Sequence, residues 1–132
     1  MLAKRHRLCQ EAEFNQIFKK GLFLETDLLI MRMIKTQADI TRFGFVVAKK
    51  ISKKAVTRNL IKRRISEAIR ICLPQIKPGY DLVIIAKPET RNSDFKNILK
   101  ATRGLLGEAK IMDVKEGKRE QTLFSRKRLK SP

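Results

Sequence analysis

Apolar residues recur along this chain at two spacings, one helical and one extended, and the switches between them mark out the elements. Over residues 11–20, Ala12, Phe14, Ile17 and Phe18 fall at helical intervals and Gly21 follows, which predicts a short first helix. Residues 27–35 are rich in Leu, Ile and Met, and after the break Thr36-Gln37-Ala38-Asp39 the segment 42–48 alternates large and small side chains. Two antiparallel strands fit this pattern. In the second of them Phe43, Phe45 and Val47 share one face and Gly44, Val46 and Ala48 the other. One face is expected to fill a core, while the low face leaves room for a ligand.

Ser52 is placed to cap a helix running to about Cys72, with Ile61, Ile65, Ala68, Ile69 and Cys72 as its apolar stripe. Pro74 and Pro78-Gly79 stop it. The continuous run Leu82-Val83-Ile84-Ile85 within 81–86 predicts a strand covered on both faces, ended by Pro88. Ser93 or Asp94 then opens a last helix whose Phe95, Ile98, Leu99, Leu105 and Leu106 keep helical spacing up to Gly107. Beyond that point charge returns and periodicity fades. The expected division is a single domain over 1–107 and a basic, flexible tail over 108–132 that is available to nucleic acid.

Composition changes the picture. A 42% hydrophobic content supports one packed core, but 31 Lys and Arg against 13 Asp and Glu give a net charge of +18, and such a surface calls for a polyanion. No apolar run approaches the ~18 residues of a membrane span, and no signal-peptide core follows Met1, so a cytoplasmic protein with no membrane partner is expected. Cys9 and Cys72 are isolated and read as reduced thiols. The acids are scattered, the one histidine is His6, and neither a phosphate loop nor a nucleophile elbow is present. Neither catalytic side chains nor a protein-held metal is therefore expected.

The charge is concentrated. Between residues 42 and 70 stand ten basic residues, Arg42, Lys49, Lys50, Lys53, Lys54, Arg58, Lys62, Arg63, Arg64 and Arg70, against the single acid Glu67. On a helical wheel Asn59, Lys62, Arg63, Ser66 and Arg70 share the face opposite the apolar stripe, with Arg58 at its margin. Solvated helix faces usually mix signs; like charges held together favour an anionic partner instead. Guanidinium forks, compact ammonium groups and an amide suit structured RNA. Phe14 and Phe18 read equally well as core or as a platform on which unpaired bases stack. A DNA-reading helix fits poorly, because such motifs normally pair two short helices through a tight turn.

These residues also carry a resemblance. Arg42-Phe43-Gly44-Phe45-Val46-Val47-Ala48-Lys49-Lys50, then Ala55 and Arg58-Asn59-Leu60-Ile61-Lys62-Arg63, resembles the signature of the protein subunit of bacterial ribonuclease P. The likeness extends over about residues 4–107, through Arg7-Leu8, Phe14, Phe18 and the strand around Asp81. It implies a small α/β fold, a two-layer α+β sandwich of about four strands and three helices with a left-handed strand-helix-strand crossover. Spacing alone would favour the opposite hand.

By the same resemblance the chain is the accessory subunit of an endonuclease that removes the 5′ leader of precursor tRNA. The chemistry would be carried by a catalytic RNA subunit with RNA-bound Mg2+. Arg58, Asn59, Lys62 and Arg63 would engage that RNA, with Lys49, Lys53, Lys54, Arg64 and Arg70 extending the surface. Phe14, Phe18, Arg32, Arg42, Val46 and Lys50 would line a cleft for the leader. Two positions depart from the family pattern: Leu60 stands where an Arg is usual, and Arg32 where some members have an aromatic residue. A ribosomal or general structured-RNA-binding protein is the alternative reading.

Overall fold

The computed structural model describes residues 4–8, 11–112 and 124–125. Three helices and a mixed sheet make an α+β architecture. After a 3-10 turn at Lys4–His6, and with further 3-10 segments at Leu73–Gln75 and Pro88–Asn92, the elements run α1 (Glu11–Lys20), β1 (Leu22–Thr26), β2 (Leu29–Lys35), β3 (Arg42–Val46), α2 (Ala55–Cys72), β4 (Tyr80–Ala86), α3 (Phe95–Glu108) and β5 (Phe124–Ser125). The sheet order is β3-β4-β2-β1-β5. Among the described residues no helix is long and apolar enough to cross a membrane.

The helices begin and end where their chemistry dictates. Asp94 caps α3 by accepting a hydrogen bond from the Asn97 N–H at 3.1 Å. Ser52 is not the cap of α2: its Oγ accepts from the Lys54 N–H at 3.2 Å, and the helix starts three residues later with Lys54 as an extended N-cap that supplies no side-chain bond. Helix α3 ends near its expected limit, but the core does not. Ile111 and Met112 are buried, and Met112 bridges Ile76, so the packed unit runs past the expected boundary at 107. Within 108–132 the described tail residues include Phe124 and Ser125, which pair with Thr26 and Glu25 on the outer edge of β1. The expected flexibility of the remaining tail lies outside the described residues.

The strand pairing corrects the sequence-based pattern. The segments 27–35 and 42–48 are not neighbours, because β4 lies between them, antiparallel to β2 and parallel to β3. The hairpin partner of β2 is the unexpected β1, which precedes it. Strand β4 is therefore central, and Leu82, Val83 and Ile84 are fully buried, as its continuous apolar run predicts. Helix α2 makes the crossover between the parallel pair.

The two sheet faces differ. Leu24, Leu29, Met31, Phe43, Leu82 and Ile84 pack against the stripes of α2 and α3 to form the main core. On the reverse face α1 and Leu8 cover Val83, with Phe14, Ile17, Ile34, Val46 and Ile85 around it. Ser66, placed on the exposed wheel face by its angle, is buried with the apolar stripe, because α3 packs along α2 and widens its covered arc.

Candidate nucleic-acid interface

Cross-strand register lays out the reverse face in rows, since directly opposed residues share a side. One row runs Gly44, Val83, Arg32, Phe23; the next, toward the C-terminal ends of β3 and β4, runs Val46, Ile85, Ile30, Glu25. Helix α1 packs over β2 and β4, and its Phe14 ring reaches Gly44 on β3. A Cβ built on Gly44 would stand 2.5 Å from two ring atoms of Phe14, so the absence of a side chain at position 44 is what admits the ring. The low face expected to leave room for a ligand is thus partly filled by the protein's own Phe14. Phe18, one turn on, is 37% exposed, while Val46, Ile30 and Ile85 are half-buried. Three half-buried apolar side chains and an exposed aromatic ring on α1 therefore remain on this side of the sheet.

Polar groups border this groove. The Arg32 guanidinium lies 5.8 Å from the Phe23 ring centroid, a cation-π arrangement, and donates to the Gly21 carbonyl at 3.4 Å. Its Nε is buried without a hydrogen-bond partner among the described residues. Lys87 donates to Glu25 at 2.7 Å and to the Thr26 carbonyl at 2.8 Å. Phe23, Ile30, Ile85 and Lys87 were not singled out from sequence. The apolar run Leu22-Phe23-Leu24 is the signal that points to Phe23, but a five-residue strand against Gly21 is easily read as loop.

Beyond Val46 the chain turns through Lys49 and Lys50 into α2, so the groove opens onto the cationic surface. Lys49, Lys50, Lys53, Lys54, Asn59, Lys62 and Arg63 are all exposed. The first turn of α2 contains no acid, and its uncapped N–H groups add partial positive charge beside the lysines. The other expected contacts are committed within the fold. Arg58, half-buried, donates through Nη1 to the Ser52 and Lys53 carbonyls at 3.0 and 3.1 Å, holding the loop against the helix. Arg64 donates to the Ser93 carbonyl at 3.4 Å.

Arg70 is ion-paired with Glu67, the Nε bond being 2.9 Å. The hydrogen bond raises the Arg70 pKa and lowers that of Glu67. Arg42 departs furthest from its expected place in the cleft. It forks onto Asp81 at 3.1 and 2.8 Å and reaches Glu13 at 3.0 Å, tying α1 to β3 and β4. The Asp81 hydrogen bond outweighs burial and raises its pKa above the usual arginine range. Its charge is matched by two carboxylates, so it acts as a clamp between α1 and the sheet, two rows away from Val46 and Ile85.

Comparison with known proteins places this fold in a family. A family model described as Ribonuclease P matches residues 2–110. The ribonuclease P protein component of Picosynechococcus sp. is 38% identical over 110 residues, covering 83% of this chain and 95% of that protein. Its counterpart from Clostridioides difficile is 36% identical over 100 residues, covering 75% and 87%. Among solved structures, the RNase P protein of Staphylococcus aureus superposes with a TM-score of 0.75 at 28% identity, covering 82% of this chain and 98% of that one. The Thermotoga maritima protein gives 0.72 at 30% identity, covering 77% and 96%. Matched along most of its length by a family model, by curated relatives and by structures of the same architecture, the chain belongs to the ribonuclease P protein family.

Proposed function

We propose that this chain is the non-catalytic subunit of a ribonuclease P, binding the catalytic RNA through the 49–63 surface and the 5′ leader of precursor tRNA through the groove beside it. The observation that carries the reading is their junction. Six exposed cations, Lys49, Lys50, Lys53, Lys54, Lys62 and Arg63, follow β3, whose half-buried Val46 packs in one cluster with Ile85 and Phe14, while Phe18 is exposed one turn further along α1. Cations neutralise phosphates without reading sequence, whereas aromatic rims hold unpaired bases. A structured RNA and a single strand can therefore meet on one face.

The acids around these surfaces support a chemistry located elsewhere. Glu13 and Asp81 are occupied by Arg42, Glu25 by Lys87 and Glu67 by Arg70. Carboxylates committed to cations are poor metal ligands, and among the described residues no group of three or more His, Cys, Asp or Glu lies together. Mg2+ held by the RNA would supply the hydrolytic chemistry, and the protein's part is to offset phosphate repulsion and fix the leader. A cytoplasmic location fits an RNA partner of this kind.

Mixing purified chain with precursor tRNA, with and without the cognate RNA subunit at low Mg2+, tests the reading. Cleavage at the mature 5′ end should require the RNA and be stimulated by the protein. Cleavage by protein alone would refute it, and binding that ignored the leader would favour a general RNA-binding role.

A further inference from the structure

At the end of the sheet opposite the cationic loop lies an open surface pocket of about 490 Å3, where the N-terminal segment, the chain entering β3 and the chain leaving α2 converge. Its volume is within the ~300–1,000 Å3 of small-ligand sites. Leu73, Pro74 and Ile76 supply apolar lining. Hydrogen bonds fix the wall: buried Thr41 donates through Oγ1 to the Lys77 carbonyl at 2.7 Å and accepts from the Tyr80 N–H at 3.2 Å. His6 Nδ1 donates to the Thr41 carbonyl at 2.9 Å.

The charge here is mixed, unlike that of the 49–63 surface. Arg5, Asp39 and Arg70 line the cavity, and Arg70 is already matched by Glu67. Arg5 and Asp39 are exposed, and neither has an ion-pair partner among the described residues. A chain of net charge +18 thus keeps a carboxylate at this site beside a guanidinium, neither of them ion-paired among the described residues. A phosphate contact gains nothing from a carboxylate. A nucleobase does, because its edge carries both donors and acceptors. Guanine alone among the four bases has two adjacent donors, N1–H and the 2-amino group, together with two adjacent acceptors, O6 and N7.

We propose that this cavity takes one unpaired guanine of the RNA partner, with Asp39 accepting from N1–H and the amino group, Arg5 donating to O6 and N7, and the apolar lining packing against the ring. The inference rests on the RNA-binding role proposed above. Arg70 follows Arg63 by seven residues, about 10.5 Å along the helix axis, so RNA lying along α2 reaches the mouth of the cavity. The result would be a base-specific contact at one end of an otherwise sequence-blind cationic surface.

Kethoxal, which modifies the N1/N2 edge of unpaired guanines, tests this on the complex of the full chain with its RNA subunit. One unpaired guanine should be protected by the wild-type chain and regain at least tenfold in modification rate with Asp39→Ala, other protections being unchanged. Titration of the free protein followed by NMR should show 5′-GMP shifting signals of residues 5–6, 39–41 and 73–78. The corresponding A, C and U nucleotides should bind about tenfold more weakly. A complex that forms with identical guanine reactivity for both proteins overturns the site alone. Tight GMP binding with no protected guanine in the complex also overturns it, in favour of a free nucleotide. Failure of the wild-type chain to bind the RNA overturns the proposed function and this site with it.

Discussion

Replacing Arg42 by alanine separates a clamp from an RNA contact. Its partner Asp81 has a side chain only 7% exposed, while the Arg42 and Glu13 side chains are 30% and 26% exposed. Breaking a buried pair costs about 3–5 kcal/mol because one charge is left stranded, and breaking an exposed one costs about 0–1. With the carboxylate buried and the guanidinium half-exposed, a loss of about 2–3 kcal/mol is expected. For a chain of this size that is a fall in Tm of roughly 10 °C.

The contribution carries little pH dependence near neutrality. A pKa raised in the fold gives stability that is complete below the unfolded value and lost only as pH climbs past the folded one, far above the working range. Thermal melting, with a double-mutant cycle against Asp81→Asn, measures the coupling. Binding of precursor tRNA to the assembled enzyme should weaken through displacement of α1, with the salt dependence of affinity unchanged. An Arg42→Ala chain that melts with the wild type, yet binds with a log-log salt slope shallower by about 0.7–0.9, would refute the clamp and make Arg42 a phosphate ligand.

The two aromatic residues of α1 should part company. Phe14→Ala removes the ring seated on Gly44 and should cost about 2 kcal/mol by denaturant unfolding, whereas Phe18→Ala should cost under about 1 kcal/mol and selectively weaken precursor over mature tRNA. Equal losses for both substrates would return Phe18 to a packing role. Lys62→Ala with Arg63→Ala should leave Tm unchanged and flatten the salt slope for RNA-subunit binding by about 1.4–1.8; an unchanged slope would remove this face of α2 from the interface. Burial raises the Cys72 pKa despite the neighbouring Arg103. A thiol reagent at pH 8 should therefore leave the Cys72 peptide unmodified until the chain unfolds, as peptide mass analysis would show.

Helical elements were the most legible part of the fold because their information is local. The Phe14-Ile17-Phe18 spacing marks α1, and the stripe from Ile61 to Cys72 marks the buried side of α2, independently of anything distant in sequence. Strand pairing is not local. That β4 should separate β2 from β3 follows from where α2 returns the chain, and no alternation within residues 42–46 encodes it. The surface behaved similarly. Ten cations between residues 42 and 70 announced a polyanion site, but composition does not say which of them already have partners. Arg42 and Arg58 are spent on carboxylates and carbonyls that lie close only once the chain has folded.

Division of the cations into committed and uncommitted sets explains how so basic a domain holds together while keeping its binding face charged. Arginines do most of the internal work: Arg42 ties α1 to the sheet, Arg58 fixes the entry to α2 and Arg64 ties α2 to the chain before α3. A guanidinium can bond carbonyls and carboxylates in several directions while remaining charged. The face left outward is mostly lysine, with Lys49, Lys50, Lys53, Lys54 and Lys62 beside Arg63. Their ammonium groups are mobile point charges that adapt to phosphate positions without demanding one geometry. Exchanging Arg58 for Lys would therefore disturb the loop more than exchanging Lys62 for Arg would disturb the interface. The difference lies in the geometry each position requires, since both substitutions conserve charge.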